Sequence, residues 1–152
     1  MIDRAARNTM ATALRRLFSR RITNDEFEVM RPREPSGDSV LHPIYHWAWL
    51  CYSDNHEHKL ARDLAHAVRK DVARFVLFLH SDLEYRWPPM RWLWAPIISW
   101  PLTVLTLGWW ARVRARHVRE WESHGDVEAW PFLTSSELSA ACAQPRFLVG
   151  SS

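Results

Sequence analysis

Two long stretches of the chain carry apolar side chains at helical spacing. In the first, from Asp3 to Ile22, the apolar stripe comprises Met10, Leu14, Leu17, Phe18 and Ile22. In the second, from about Leu60 to His80, it comprises Leu64, Val68, Val72, Phe75, Val76 and Leu79. Steps of three and four residues return to one face of an α-helix. The pattern therefore predicts two amphipathic helices, and we expect most arginines of the first on its solvent side: Arg4, Arg7, Arg15, Arg16 and Arg20.

Two capping boxes mark the starts of shorter helices. In such a box, a Thr side chain and a Glu three residues later each bind a backbone N–H of the first turn. Thr23 with Glu26 predicts a helix over about 24–30. Thr134 with Glu137 predicts a last short helix that ends before Pro145.

Two further helices follow from less specific signals. Ser39 is the expected N-cap of a helix that has Pro43 in its first turn. This helix is apolar nearly all round, so we expect it to be central. A highly charged helix is predicted over 112–122, with Gly125 as its left-handed C-terminal cap.

The segment 92–111 has no charged residue and holds five of the ten tryptophans. Twenty residues, about 30 Å as a helix, is the length that crosses a bilayer. Pro96, Pro101 and Gly108 oppose a continuous span, because a proline inside a helix frees a carbonyl that lipid cannot satisfy. We therefore expect an extended wrap over 87–100 and then a buried helix. A membrane-peripheral segment and a true span are the alternatives.

These elements predict an all-α fold, a compact bundle of about five or six helices in one domain over 1–152. The helix at 60–80 is expected to be central, with the Trp/Pro-rich segment completing the core. Pro32, Pro35 and Gly37 indicate a loop, and a possible hinge, at 31–38.

Composition changes this picture little. Apolar residues are 47% and charged residues 24% of the 152 residues, close to globular averages. The two cysteines, Cys51 and Cys142, are far apart, so we expect both to be reduced and packed, as in a cytoplasmic protein. The first residues lack the apolar run of a secretory signal. The net charge of +3 is too small to indicate nucleic acid as a partner without a clustered patch.

Candidate chemistry is sparse. His56 and His58, with Asp54, form the strongest metal candidate, but their spacing matches no known zinc class, and neither does that of His42 and His46. The acidic pair at 82 and 84 is expected to form ion pairs with nearby arginines rather than to act in acid–base catalysis. We therefore assign no catalytic, cofactor-binding or metal-binding residue and expect no cofactor.

The strongest interaction candidate follows the uncharged segment. Four arginines lie within 112–119, and three of them share one helical face. Tryptophans precede them, so the run could bind a protein, an anionic membrane surface or, least favoured, nucleic acid. The predicted interaction surface comprises Trp92, Trp94, Trp109, Trp110, Arg112, Arg116 and Arg119.

Three segments of the chain resemble a group of small, uncharacterised bacterial proteins that carry them in the same order. They are residues 21–28 (RITNDEFE), 78–88 (FLHSDLEYRWP) and 125–133 (GDVEAWPFL). The resemblance implies a bacterial source and a compact, mostly helical single domain. It implies no substrate, cofactor or catalytic residue.

The function expected from these observations is non-enzymatic binding of a protein partner, as an accessory or immunity-type factor. One alternative is a membrane-peripheral protein anchored through 92–111 and the arginines of 112–119. A weaker alternative is a metal-dependent enzyme at His56 and His58.

Overall fold

The computed structural model describes residues 1–32, 37–89 and 109–145, and of Trp110 only the backbone. Within these residues the chain forms seven α-helices, one short 3-10 helix and no strand, which confirms the predicted all-α class. The helices are α1 (Arg4–Phe18), α2 (Asn24–Val29), α3 (Leu41–Trp49), α4 (Arg62–Ala67), α5 (Arg69–His80), α6 (Trp109–Glu122) and α7 (Ser135–Ala143), with the 3-10 helix at Val127–Ala129.

Helix α1 ends four residues earlier than predicted. Asp3 is its N-cap and accepts a hydrogen bond from the Ala6 N–H at 3.0 Å. At the other end, Arg20 adopts a left-handed conformation with φ of 59°. The N–H of Arg21 donates to the Arg16 carbonyl and that of Arg20 to the Leu17 carbonyl, each at 2.9 Å. This is the Schellman arrangement, here built on an arginine instead of the usual glycine.

The first capping box is confirmed. The Thr23 side chain accepts from the Glu26 N–H, and the Glu26 carboxylate accepts from the Thr23 N–H at 2.9 Å. The second box is only half formed. Thr134 accepts from the Glu137 N–H at 3.2 Å, but the Glu137 carboxylate accepts from the Leu133 N–H instead.

One prediction about α3 is wrong, and a second holds only in part. Its N-cap is Val40 and not Ser39, and the Val40 side chain makes no capping hydrogen bond. The buried Asp38 accepts hydrogen bonds from the first backbone N–H groups instead. Asp38 accepts from the Val40 N–H through its carboxylate and from the Leu41 N–H through its carbonyl. The helix is central only in part, because Leu41, Pro43, Ile44 and Ala48 are buried but its C-terminal end is not. Trp49 is 36% and Leu50 65% exposed at its C-terminal end.

The predicted helix over 60–80 is divided at Val68, whose ψ of 5° departs from helical geometry. Helix α4 has no fully buried side chain and lies at the surface. Helix α5 is central as predicted, because every side chain from Phe75 to Leu79 is buried.

Aromatic rings from distant segments close the core around α5. Trp47 and Trp130 contact Phe75 with ring centroids 4.7 and 5.0 Å away, and Phe132 contacts Phe78 at 5.0 Å. Buried side chains of α1 line the core as well: Ala6, Met10, Ala11, Ala13, Leu14 and Leu17.

Helix α6 includes residues 109–111, ahead of the predicted charged helix over 112–122. Trp109 is 60% exposed, so the prediction of a buried helix is wrong at this end. Helix α6 packs against the segment that precedes the uncharged stretch. The Trp121 ring lies 4.5 Å from that of Trp87 and donates to the Pro88 carbonyl. Trp87 itself is buried, so the first residue of the predicted wrap belongs to the core. The rest of the predicted wrap and the buried helix fall mainly in 90–108, outside the described residues.

Gly125 is required for a different reason from the one predicted. Its backbone is not left-handed, and α6 ends at Glu122 without it. A Cβ at this position would lie 2.5 Å from the Leu133 carbonyl oxygen and 3.0 Å from the Trp87 ring. The glycine therefore allows a close approach between these two chain segments.

Candidate protein-binding surfaces

The structure describes part of the predicted interaction surface. Trp92 and Trp94 lie outside the described residues, and so does the side chain of Trp110. Trp109, the first residue of α6, is 60% exposed. The three arginines of the predicted surface are all exposed on the same helix. We call the described part of this surface the α6 face: Trp109, Arg112, Arg116 and Arg119.

The arginines of the α6 face are only partly neutralised. The Arg116 Nε lies 3.1 Å from a carboxylate oxygen of Glu120, an i,i+4 pair. The side chains of Arg112 and Arg119 form no ion pair with another described residue. The opposite side of α6 carries half-buried residues such as Val118 and Trp121. The helix therefore packs along one side and leaves a basic side with an exposed indole.

A second surface, not anticipated from the sequence, is an open groove between α1, α4 and α5. Its volume is about 590 Å³. Its apolar floor comes from Phe18, Val72 and Val76, with the small residues Ala65 and Ala73 beside them. Ser19, Arg15, His66 and Arg69 complete the lining.

An adjoining depression of about 310 Å³ extends the basic character of this groove. It shares Arg15 and Ser19 with the groove and adds Thr12, Arg16 and Arg21. Among the described residues, no aspartate or glutamate lines either depression. We call the two together the basic groove.

The position of α4 beside α1 is fixed by the segment that precedes it. The Arg20 Nε donates to the Leu60 carbonyl at 2.8 Å. The buried Asn24 accepts from the His58 N–H at 2.7 Å, and its amide donates to the His56 carbonyl. This segment thus docks on the corner between α1 and α2 and sets the second wall of the groove.

The predicted metal candidates have backbone and ring contacts instead of a shared centre. The rings of His56 and His58 lie 4.9 Å apart, and the His58 Nδ1 lies 2.9 Å from the His56 carbonyl oxygen. The rings of His42 and His46 lie 5.8 Å apart on α3. Within the described ranges, no group of three or more His, Cys, Asp or Glu residues could hold a metal ion.

The acidic pair of the 81–89 segment follows the prediction of arginine ion pairs only at Asp82. Asp82 forms an ion pair with Arg4, and Glu84 lies 3.8 Å from the N-terminal amine.

Arg7 is completely buried, which corrects its predicted place on the solvent side of α1. Its Nε and one NH₂ group donate to the two carboxylate oxygens of Asp38 at 2.5 and 3.1 Å. Its other NH₂ group donates to the carbonyls of Ser81 and Leu83. The guanidinium also lies 5.3 Å from the centre of the Phe78 ring. The sequence carried one signal of this: Arg7 precedes Met10 by three residues and Leu14 by seven, on the apolar stripe itself.

Cys51 is held as a neutral thiol, whereas Cys142 is exposed, so the prediction that both are packed is wrong for Cys142. Burial, followed by the charge of Asp71, raises the pKa of the Cys51 thiol to about 11. Its Sγ donates to the Trp47 carbonyl at 3.5 Å. A thiol in this state is a poor nucleophile near neutral pH.

Comparison with known proteins adds no relative: no family model, no curated protein and no solved structure matches the chain. The resemblance to small bacterial proteins therefore stays a prediction. No α-helix in the described ranges has both the length and the apolar character needed to cross a membrane.

Proposed function

We propose that this chain is a non-enzymatic bacterial factor of the cytoplasm that works by binding a protein partner, in an accessory or immunity-type role. The observation that carries the proposal is the α6 face, where an exposed tryptophan lies in line with three exposed arginines. Trp and Arg are the residue types most enriched at protein–protein hot spots.

The energetics favour this use of the α6 face. An indole that is 60% exposed leaves apolar area that a partner can remove from water, at roughly 25 cal/mol per Å². Arg112 and Arg119 have no ion pair to break with another described residue, so carboxylates of a partner can bind them without competition from one. A partner with an apolar pocket and acidic rim would match both features.

Anionic membrane surfaces are the second candidate partner, favoured by the same combination. Indole rings prefer the headgroup region, and arginines are attracted to anionic lipid. In that case the protein should be recovered with membranes and released by salt.

A photo-crosslinking amino acid placed at position 109 in the full chain, in cells, tests the proposal. We expect one discrete protein adduct, and we expect the double substitution Arg112→Glu/Arg119→Glu to abolish it. The same probe at Val127, which is 43% exposed, should not give that adduct. Arg62→Glu/Lys70→Glu, an equal charge change on α4 and α5, is the matched control and should leave the adduct in place. The proposal would be ruled out if the probe formed adducts with lipid alone. It would also be ruled out if the probe formed no adduct and the protein purified as a monomer.

A further inference from the structure

We infer that the basic groove is a second binding site, which takes an acidic amphipathic helix of a partner protein. The site is separate from the α6 face, and the inference does not depend on the function proposed for that face. It rests on the shape of the groove, on its apolar floor and on its one-sided charge.

The shape of the groove matches a helix. Along α5 the lining residues are Arg69, Val72, Ala73 and Val76, at positions i, i+3, i+4 and i+7. They follow one face of α5 for two turns, about 10 Å. Recognition of a helix in a groove uses the same spacing of apolar anchors on the ligand.

Short side chains create the depression. Ala65 on α4, Ala73 on α5 and Ser19 after α1 leave open a space that longer side chains would fill. Phe18 is half-buried at the floor, beside Val72 and Val76. Leucine or phenylalanine side chains of a bound helix would cover this floor.

The charge of the groove selects an acidic ligand. Arg15 and Arg69 flank the floor from α1 and α5, and Arg16 and Arg21 continue the positive rim. The side chains of these four arginines form no hydrogen bond or ion pair with another described residue. Arg4, Arg7 and Arg74, in contrast, all bind carboxylates of the fold. The groove therefore keeps its positive charge available for a ligand.

The concave form distinguishes a helix from a lipid surface. The apolar floor lies between three helices and is flanked by arginines, so we expect a flat bilayer to meet the arginines with less contact to the floor. A narrow acidic helix can contact both at once.

The test uses the full chain and a fluorescent peptide of about 18 residues, long enough for appreciable helicity. The peptide is alanine-rich, carries leucine at i, i+3, i+4 and i+7, and has a few glutamates beside that stripe, because glutamate at every other position would destabilise the helix by like-charge repulsion. A second peptide has lysine in place of each glutamate. We expect the acidic peptide to bind with an affinity that falls as salt is raised, and the lysine peptide not to bind.

Two matched pairs of variants locate the binding. Arg15→Glu/Arg69→Glu should weaken binding at least about tenfold, equivalent to about 1.4 kcal/mol, while Arg62→Glu/Lys70→Glu has the same charge change outside the groove and should leave it within about twofold. Ala73→Trp should fill the floor and abolish binding. Ala67→Trp, at an exposed α4 position that does not line the groove, should not.

The inference is overturned if the acidic peptide does not bind, or if the groove variants and their controls weaken binding equally. It is also overturned if vesicles of anionic phosphatidylglycerol bind through Arg15 and Arg69 while the peptide does not. In that case the groove rim is a lipid site.

Discussion

Arg4 and Arg7 at the start of α1 are built into the fold, whereas Arg15 and Arg16, about two turns further along the same helix, face solvent at the basic groove. Arg7 is fully buried and bonded to Asp38. Arg15 is exposed and has no carboxylate partner among the described residues. Arginines thus stabilise the fold at the start of α1 and remain available to bind a ligand near its end.

The two ends of α1 differ because each end packs against a different part of α5. The two helices pack with opposite directions, so the start of α1 lies at the end of α5. There, carbonyl groups without intrahelical partners and the negative end of the helix dipole favour a guanidinium. Arg4 donates to the carbonyls of Leu79 and Ser81 at 2.8 Å each. At the other end, Arg15 meets the apolar floor formed by Val72 and Val76.

Replacing Arg7 by Met should give the largest effect. The variant keeps most of the side-chain volume but leaves the Asp38 carboxylate buried without its counter-charge. Removing one partner of a buried pair costs about 3–5 kcal/mol. We expect that loss in the free energy of unfolding measured with urea, a large part of the 5–15 kcal/mol typical of a domain. Arg15→Met is the matched control, and a loss below about 1 kcal/mol for Arg7→Met would show that the pair is not structurally important.

Replacing Arg4 by Met should have an intermediate effect. The guanidinium binds two carbonyls at the end of α5 and the carboxylate of Asp82, but its side chain is 38% exposed. Water can replace part of what is lost, so we expect about 1–2 kcal/mol in the same urea experiment. If Arg4→Met lost as much free energy of unfolding as Arg7→Met, solvent exposure would not explain a difference between the two arginines.

His80 lies between the two arginine sets and reports on both. Burial lowers the pKa of its imidazole, and the charges of Arg15 and Arg4 lower it further. Because the unfolded chain takes up the proton at a higher pH than the folded chain, stability should fall as pH is lowered through about 6.5 and level off below the folded pKa. His80→Gln should reduce this slope, leaving the contribution of His46, whose pKa is also lowered by burial. An unchanged slope in His80→Gln would contradict the assignment.

Local features of this fold could be predicted from the sequence because their causes are local. The Thr23 capping box depends only on two residues three positions apart. The apolar face of α5 depends only on the spacing of apolar residues within that helix. The break between α4 and α5 at Val68 could not be predicted, because no glycine or proline lies near it. The position of Arg7 on the apolar stripe is only a weak sign of its burial, because the burial depends on Asp38, which is 31 residues away in sequence, and on carbonyls beyond the end of α5.

The same distinction applies to the candidate sites. The α6 face could be found from the sequence because its residues follow one another on a single helix. The basic groove could not, because it exists only where three helices meet. Its second wall depends on the hydrogen bond from Arg20 to the Leu60 carbonyl and on those between Asn24 and the backbone of His56 and His58. The sequence shows the arginines but not the floor between them.

Replacing Arg15 and Arg69 together by Gln should have the smallest effect on stability and therefore separates the two roles of arginine most clearly. Both side chains are exposed and form no ion pair with a described residue, so we expect the free energy of unfolding to change by less than about 0.5 kcal/mol. Binding of the acidic peptide should nevertheless weaken at least about fivefold, since two charge-assisted contacts are removed. Fluorescence anisotropy and urea unfolding on the same preparation measure both quantities. If stability fell by as much as in Arg4→Met, these arginines would be structural after all, and the contrast between the two ends of α1 would be wrong.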